Sequence, residues 1–123
     1  MPGKLKILYV DDELVNLTIF ELSLKSQYDI LTAQGGTEGL KLLKANPDIQ
    51  IIVSDLRMPV MDGLAFIKEA VKLAPDKLYY LLTGFELSDE IQEALDEGTI
   101  RKHFGKPIDM NELGAAIVED MRR

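Results

Sequence analysis

Cysteine and tryptophan are both absent from this chain of 123 residues, and histidine occurs once, at His103. Without cysteine there is no disulfide, no thiolate metal ligand and no cysteine nucleophile. The composition fits a cytosolic protein. Basic residues are scarce. Fourteen Lys and Arg face 21 Asp and Glu, for a net charge of −7. That balance argues against direct nucleic-acid binding, which needs a basic footprint against the phosphates. No apolar run approaches the roughly 18 residues of a membrane span. The opening "MPGKLKILYVDDE" has an apolar stretch too short for a signal peptide, and that stretch ends in acid. Repeats, low-complexity tracts and linkers are also lacking. What is left is a chain of single-domain length. It can bury roughly two-thirds of the surface its unfolded form exposes. Residues 1–123 are expected to form one domain, with no second domain in this chain.

What is present alternates. Short β-rich apolar runs are followed by amphipathic stretches of helical length. The runs fall at residues 5–10, 29–33, 49–55, 77–83 and 101–105. Helices are expected over 14–26, 37–45, 62 or 63 to 73, 88–98 and from 109 onward. Leu17, Phe20 and Leu24 form the stripe of the first helix. Leu64, Ile67 and Val71 form that of the third, and Met110, Leu113, Ile117 and Met121 that of the last. Ser88 is placed to cap the fourth helix and Gly98 to end it. Asp109, with Glu112 three residues on, resembles a capping box. "IQIIVSD" (residues 49–55) holds the continuous β-branched run Ile51-Ile52-Val53 rather than an alternation, which points to burial on both faces, as in a parallel sheet. Five β–α units therefore predict an α/β fold with a doubly wound parallel sheet. In such sheets ligands sit beyond the carboxyl ends of the strands.

Those ends carry Asp11, Asp12 and Glu13; Asp55; Thr83; and Lys106. "ILYVDDE" is a puzzle by itself, because four apolar residues run into three acids. Two like charges ~4 Å apart repel by about 4 kcal/mol at an effective dielectric of 20. Any one of these residues has a bland explanation, as a turn former or a favourable charge at a helix start. Glu13 is read that way. The set is not, because a doubly wound topology puts two of the acidic strand ends side by side. Clustered carboxylates without cysteine suit a hard, oxygen-seeking cation, of which Mg²⁺ is the natural choice. A lysine and a threonine hydroxyl facing the same point suit a phosphoryl group. A carboxylate can itself accept that group.

Asp11-Asp12, "SDLRMPVMDG" (residues 54–63), Thr83-Gly84 and Lys106-Pro107 together resemble the receiver domain of two-component response regulators, in order and over nearly the whole chain. The resemblance implies a flavodoxin-like sheet of strand order 2-1-3-4-5 with five helices. It implies Asp55 as phosphoacceptor, with Mg²⁺ bound by Asp12, Asp55 and the Arg57 carbonyl, and by Asp11 through water. Lys106 and Thr83 would stabilise the phosphoryl group, Gly84 would leave room for it, and Thr83 would act as the switch. The Lys106–Pro107 peptide is expected to be cis, pinning the lysine. The donor would be a histidine kinase or a histidine phosphotransfer protein, with small phosphodonors also able to serve. The chain would catalyse only its own phosphorylation and dephosphorylation.

Some residues depart from the family. Val60 stands where many relatives carry glycine, and is expected as a tolerated change in a turn. In the family the positions of Arg57 and Phe85 line the mouth of the site and tune hydrolysis, so a bulky Arg and Phe could shield the phosphoryl group; the alternative is that both simply lie over the surface. His103 takes the place of a switch Tyr or Phe. A polar ring is costlier to bury, so the favoured expectation is an exposed strand residue. Phe104 is read as core. Partners are expected on the face of helix four, strand five and helix five. Asp89, Glu90, Glu93, Asp96 and Glu97 lie on its acidic part and Arg101 and Lys102 on its basic part. That face could pair two copies or meet a downstream protein target or fused effector domain. Three alternatives stay open: an interaction module that is not phosphorylated, a haloacid-dehalogenase-like phosphohydrolase, and a flavin binder. The second wants D-x-D rather than D-D. The third wants a Ser/Thr/Gly-rich loop after the first strand.

Overall fold

The computed structural model describes residues 3–84 and 87–122. Ten elements alternate: β1 (Lys6–Val10), α1 (Leu14–Leu24), β2 (Asp29–Ala33), α2 (Gly36–Ala45), β3 (Ile51–Asp55), α3 (Gly63–Leu73), β4 (Leu78–Leu82), α4 (Asp89–Asp96), β5 (Lys102–Phe104) and α5 (Met110–Met121). The strands form one parallel sheet of order β2-β1-β3-β4-β5. β1 and β3 are neighbours, with Val10 opposite Ser54. Asp11 and Asp55 therefore emerge side by side.

The continuous apolar strands divide their side chains between two cores. Leu8, Val10, Ile52, Tyr79 and Leu81 face α2, α3 and α4, meeting Leu43, Phe66, Ile67, Ile91 and Ala94. Ile7, Tyr9, Val53, Tyr80, Leu82 and Phe104 face α1 and α5, meeting Leu17, Phe20, Leu24, Leu113 and Ile117. Period-two alternation forces this division. It also explains why the central strands β1 and β3 bury side chains on both faces.

α3, α4 and α5 each start at a side-chain cap. Asp62 accepts from the Ala65 N–H at 2.8 Å, and Ser88 accepts from that of Ile91 at 3.2 Å. Asp109 accepts from Asn111 and Glu112 at 2.9 and 3.2 Å. Gly98 adopts φ +81°, the left-handed conformation that ends α4. The elements are shorter than the residue pattern suggests. α1 stops at Leu24 rather than residue 26, and β5 has three residues rather than five.

The stripe of α5 is corrected. Met121 is exposed, while Asp120 is buried among Leu113, Ala116 and Ile117. A buried carboxylate breaks an apolar pattern, so periodicity alone steered past it. α1 differs in another way. Leu14, Val15, Ile19 and Leu22 are exposed opposite its buried stripe, leaving it apolar almost all round. No described helix is long and apolar enough to cross a membrane.

Candidate functional site

The carboxyl ends of β1, β3 and β4 and the segment after β5 gather the chemistry. Asp11 is fully buried, Asp55 is 3% exposed and Asp12 is open to solvent. A carboxylate oxygen from each lies within 4.8 Å of the others, a grouping that could hold a metal ion. Three carboxylates with no sulfur or imidazole ligand fit a hard divalent cation. Lys106 Nζ lies 2.5 Å from Asp55 Oδ1, and the Lys106–Pro107 peptide is cis. Thr83 follows β4 directly, is 4% exposed, and donates its backbone N–H to the Phe104 carbonyl at 2.9 Å. Gly84 faces open space. His103 is exposed on β5, as favoured, and Phe104 is core. Arg57 is exposed on the loop after Asp55. Phe85 lies outside the described residues.

Burial pushes the Asp55 carboxyl up from its ordinary value and the charge of Asp11 adds to this, while Lys106 pulls it back only in part. Asp55 thus sits where negative charge is disfavoured until more positive charge arrives. A divalent cation would supply it. A carboxylate so placed, with a lysine on one oxygen and a cation seat beside it, can act as a nucleophile toward phosphorus.

The backbone behind Asp55 is tightly specified. Gly63 donates to the Leu56 carbonyl at 2.7 Å, and a Cβ on Gly63 would collide with the Asp55 carbonyl. Only glycine lets α3 start this close to Asp55. Ser54 Oγ donates to that same carbonyl at 2.9 Å. Val60, fully exposed at the loop's tip, holds φ +70°. A β-branched residue there is strained. Val60 does lie in a turn, but at an energetic cost that its identity alone did not reveal.

Two further residues were missed. Tyr9 Oη donates to Asp11 Oδ2 at 2.8 Å, and Asn16 Nδ2 donates to the same oxygen at 3.1 Å. The Glu13 N–H donates to Asp11 Oδ1 at 3.0 Å. Burial and the Asp11 carboxylate push the Tyr9 phenol well above its ordinary value, so it remains a donor. The signal was a tyrosine among Ile, Leu and Val, two residues before an acid.

Residues 7–118 match the family model described as the response regulator receiver domain. The transcriptional regulatory protein GlrR of Escherichia coli K12 is 33% identical over 112 residues, which cover 90% of this chain and 25% of that protein. The chain thus spans about a quarter of the curated relatives it matches. A response regulator receiver domain protein from Clostridium thermocellum superposes with a TM-score of 0.89 at 30% identity, covering 97% of this chain and 95% of the other. A structure described as adenylate cyclase from Rhodopirellula baltica superposes at 0.90 and 30% identity, over 98% and 89%. The sheet order, the clustered acids and these likenesses agree: the chain belongs to the response regulator receiver domain family of two-component systems.

Proposed function

We propose that this chain is a phosphoacceptor switch in which Asp55 takes a phosphoryl group from a phosphohistidine on a histidine kinase or phosphotransfer protein. The observation that carries this is the placement of Asp55, buried with Asp11 and Asp12 within 4.8 Å and with Lys106 on one of its oxygens. Asp12, Asp55 and the Arg57 carbonyl would hold Mg²⁺. When bound, that ion supplies positive charge that brings carboxylate and phosphoryl oxygens together. Asp11 would act through water, a role that its three protein donors favour by occupying most of its lone pairs.

In the transfer, an Asp55 oxygen forms a bond to phosphorus. The phosphorus–nitrogen bond breaks, and its electron pair returns to the donor's imidazole. Lys106 stays with the charge on the phosphoryl oxygens, and Thr83 donates a hydrogen bond to one of them. That movement of Thr83 is the switch, read out on α4, β5 and α5 by a downstream protein, a fused effector domain or a second copy of the chain. Arg57, exposed on the loop after Asp55, would shield the mouth from water. His103, which takes the place of a switch Tyr or Phe, is exposed on β5. The donor would approach over the apolar rim of the site, formed by Ile19 of α1 together with Pro107 and Ile108. The chain catalyses its own phosphorylation and hydrolysis and turns over no outside substrate.

The test is incubation with acetyl phosphate and Mg²⁺, read by intact mass. One phosphoryl group is expected on the wild type and none on Asp55→Asn. Labelling that persists in the variant removes Asp55 from the role, and steady release of phosphate from unrelated esters would favour a phosphohydrolase.

A further inference from the structure

We propose that the Tyr9 hydroxyl, assisted by Asn16, is a positioning group that locks the Asp11 carboxylate and thereby sets the affinity of the acid cluster for Mg²⁺. The inference rests on the reading of that cluster as a Mg²⁺ seat. Asp11 is the fully buried member of the cluster, and a buried carboxylate needs donors in place of water. Oδ2 takes two, from Tyr9 and Asn16, and Oδ1 takes one, from the Glu13 N–H. A carboxylate has about four acceptor positions. With donors on both oxygens, the carboxylate plane is held against rotation, and little of it is left open.

Tyr9 is itself fixed. Its ring stacks on Phe20 with centroids 4.1 Å apart and planes 12° from parallel, and it is 3% exposed. Phenylalanine would fill the same space and keep the stack. The hydroxyl therefore adds something that core packing does not require. Groups hydrogen-bonded to metal ligands orient them, and their removal weakens metal binding. Asn16 reaches the same oxygen from α1, so two elements converge on one atom.

The test is calorimetric titration of the full chain with MgCl₂, alongside the Mg²⁺ dependence of labelling by acetyl phosphate. In Tyr9→Phe the Mg²⁺ dissociation constant is expected to rise about tenfold, the low end for loss of a group that orients a metal ligand. The maximal labelling rate at saturating Mg²⁺ should stay within about twofold, the split that separates binding from chemistry. A merely structural tyrosine would lower the melting temperature and leave the Mg²⁺ constant alone. An unchanged constant in Tyr9→Phe, with binding lost in Asp12→Ala, overturns this inference and leaves the metal seat standing. Absence of Mg²⁺ binding by the wild type overturns both. Should Tyr9→Phe fail to fold, Asn16→Ala carries the test. It must weaken Mg²⁺ binding in the same direction, and an unchanged constant there again overturns the proposal.

Discussion

Two ends of one sheet each bury an aspartate, and the two are treated in opposite ways. Beyond the carboxyl ends of the strands, Asp55 shares its pocket with Asp11 and Asp12 and is answered by one lysine. Near the other end, Asp120 of α5 accepts from Tyr80 Oη at 2.6 Å, from Arg101 Nε at 3.1 Å and from Lys102 Nζ at 3.4 Å. Burial works against the Asp120 anion too. The Tyr80 hydroxyl, the Arg101 guanidinium and the Lys102 charge together outweigh it and hold that carboxyl below its ordinary value. Burial wins at Asp55 and donors win at Asp120. One aspartate is left short of positive charge, as the proposed cation and phosphoryl chemistry requires. The other is satisfied, and fastens α5 to β4 and β5. Tyrosine hydroxyls serve both ends, Tyr9 toward Asp11 and Tyr80 toward Asp120.

Replacing Asp120 should break the satisfied end and give the largest effect. Asp120→Ala leaves the Tyr80 hydroxyl buried without its acceptor, while Arg101 and Lys102, roughly one-third exposed, regain water. A loss of about 2 kcal/mol is expected. Urea unfolding would measure it, with labelling by acetyl phosphate retained below the transition. A loss too small to detect would mean the network is ornamental.

The receptive end also carries backbone strain, at Val60. Val60→Gly relieves the positive φ and should stabilise by about 1 kcal/mol, after allowing for the greater freedom of glycine in the unfolded chain. A lower urea midpoint in this variant would show that the turn prefers the valine.

The smallest effect is the most direct test of the contrast, because its sign differs between the ends. Asp55 has a raised carboxyl, so its charge burdens the metal-free fold at neutral pH. That burden lifts as pH falls through its raised pKa toward the ordinary value of about 3.9. Asp120 has a lowered carboxyl. Its stabilisation is present above about pH 3.9 and is lost as pH falls through its depressed pKa. Without Mg²⁺, Asp55→Asn should therefore melt slightly higher than wild type at pH 7, with the gain shrinking toward pH 4. Asp120→Asn should melt lower at pH 7, with its deficit shrinking only below about pH 4. Melting curves across that range would record both, and a common sign would erase the distinction.

Much of this was legible in the residues. Strand and helix order, the caps at Ser88 and Asp109 and the left-handed stop at Gly98 depend on local chemistry, and they emerged where the pattern placed them. Strand ends were less legible, because ladder bonds rather than propensity decide where pairing stops. Asp120 was hidden because its partners lie 18 and 40 residues away, on β5 and β4.

The sequence by itself determined which residues stand at the strand ends, and hence that Asp11, Asp12, Asp55, Thr83 and Lys106 share one edge of a doubly wound sheet. Period and loop chemistry are local properties, and they suffice for that. Tertiary structure alone decided which acid is buried, which donor reaches which oxygen and which carboxylate is left short of positive charge. Those depend on distances of a few ångströms between residues far apart in the chain, where desolvation and hydrogen bonding compete closely enough for geometry to choose the winner.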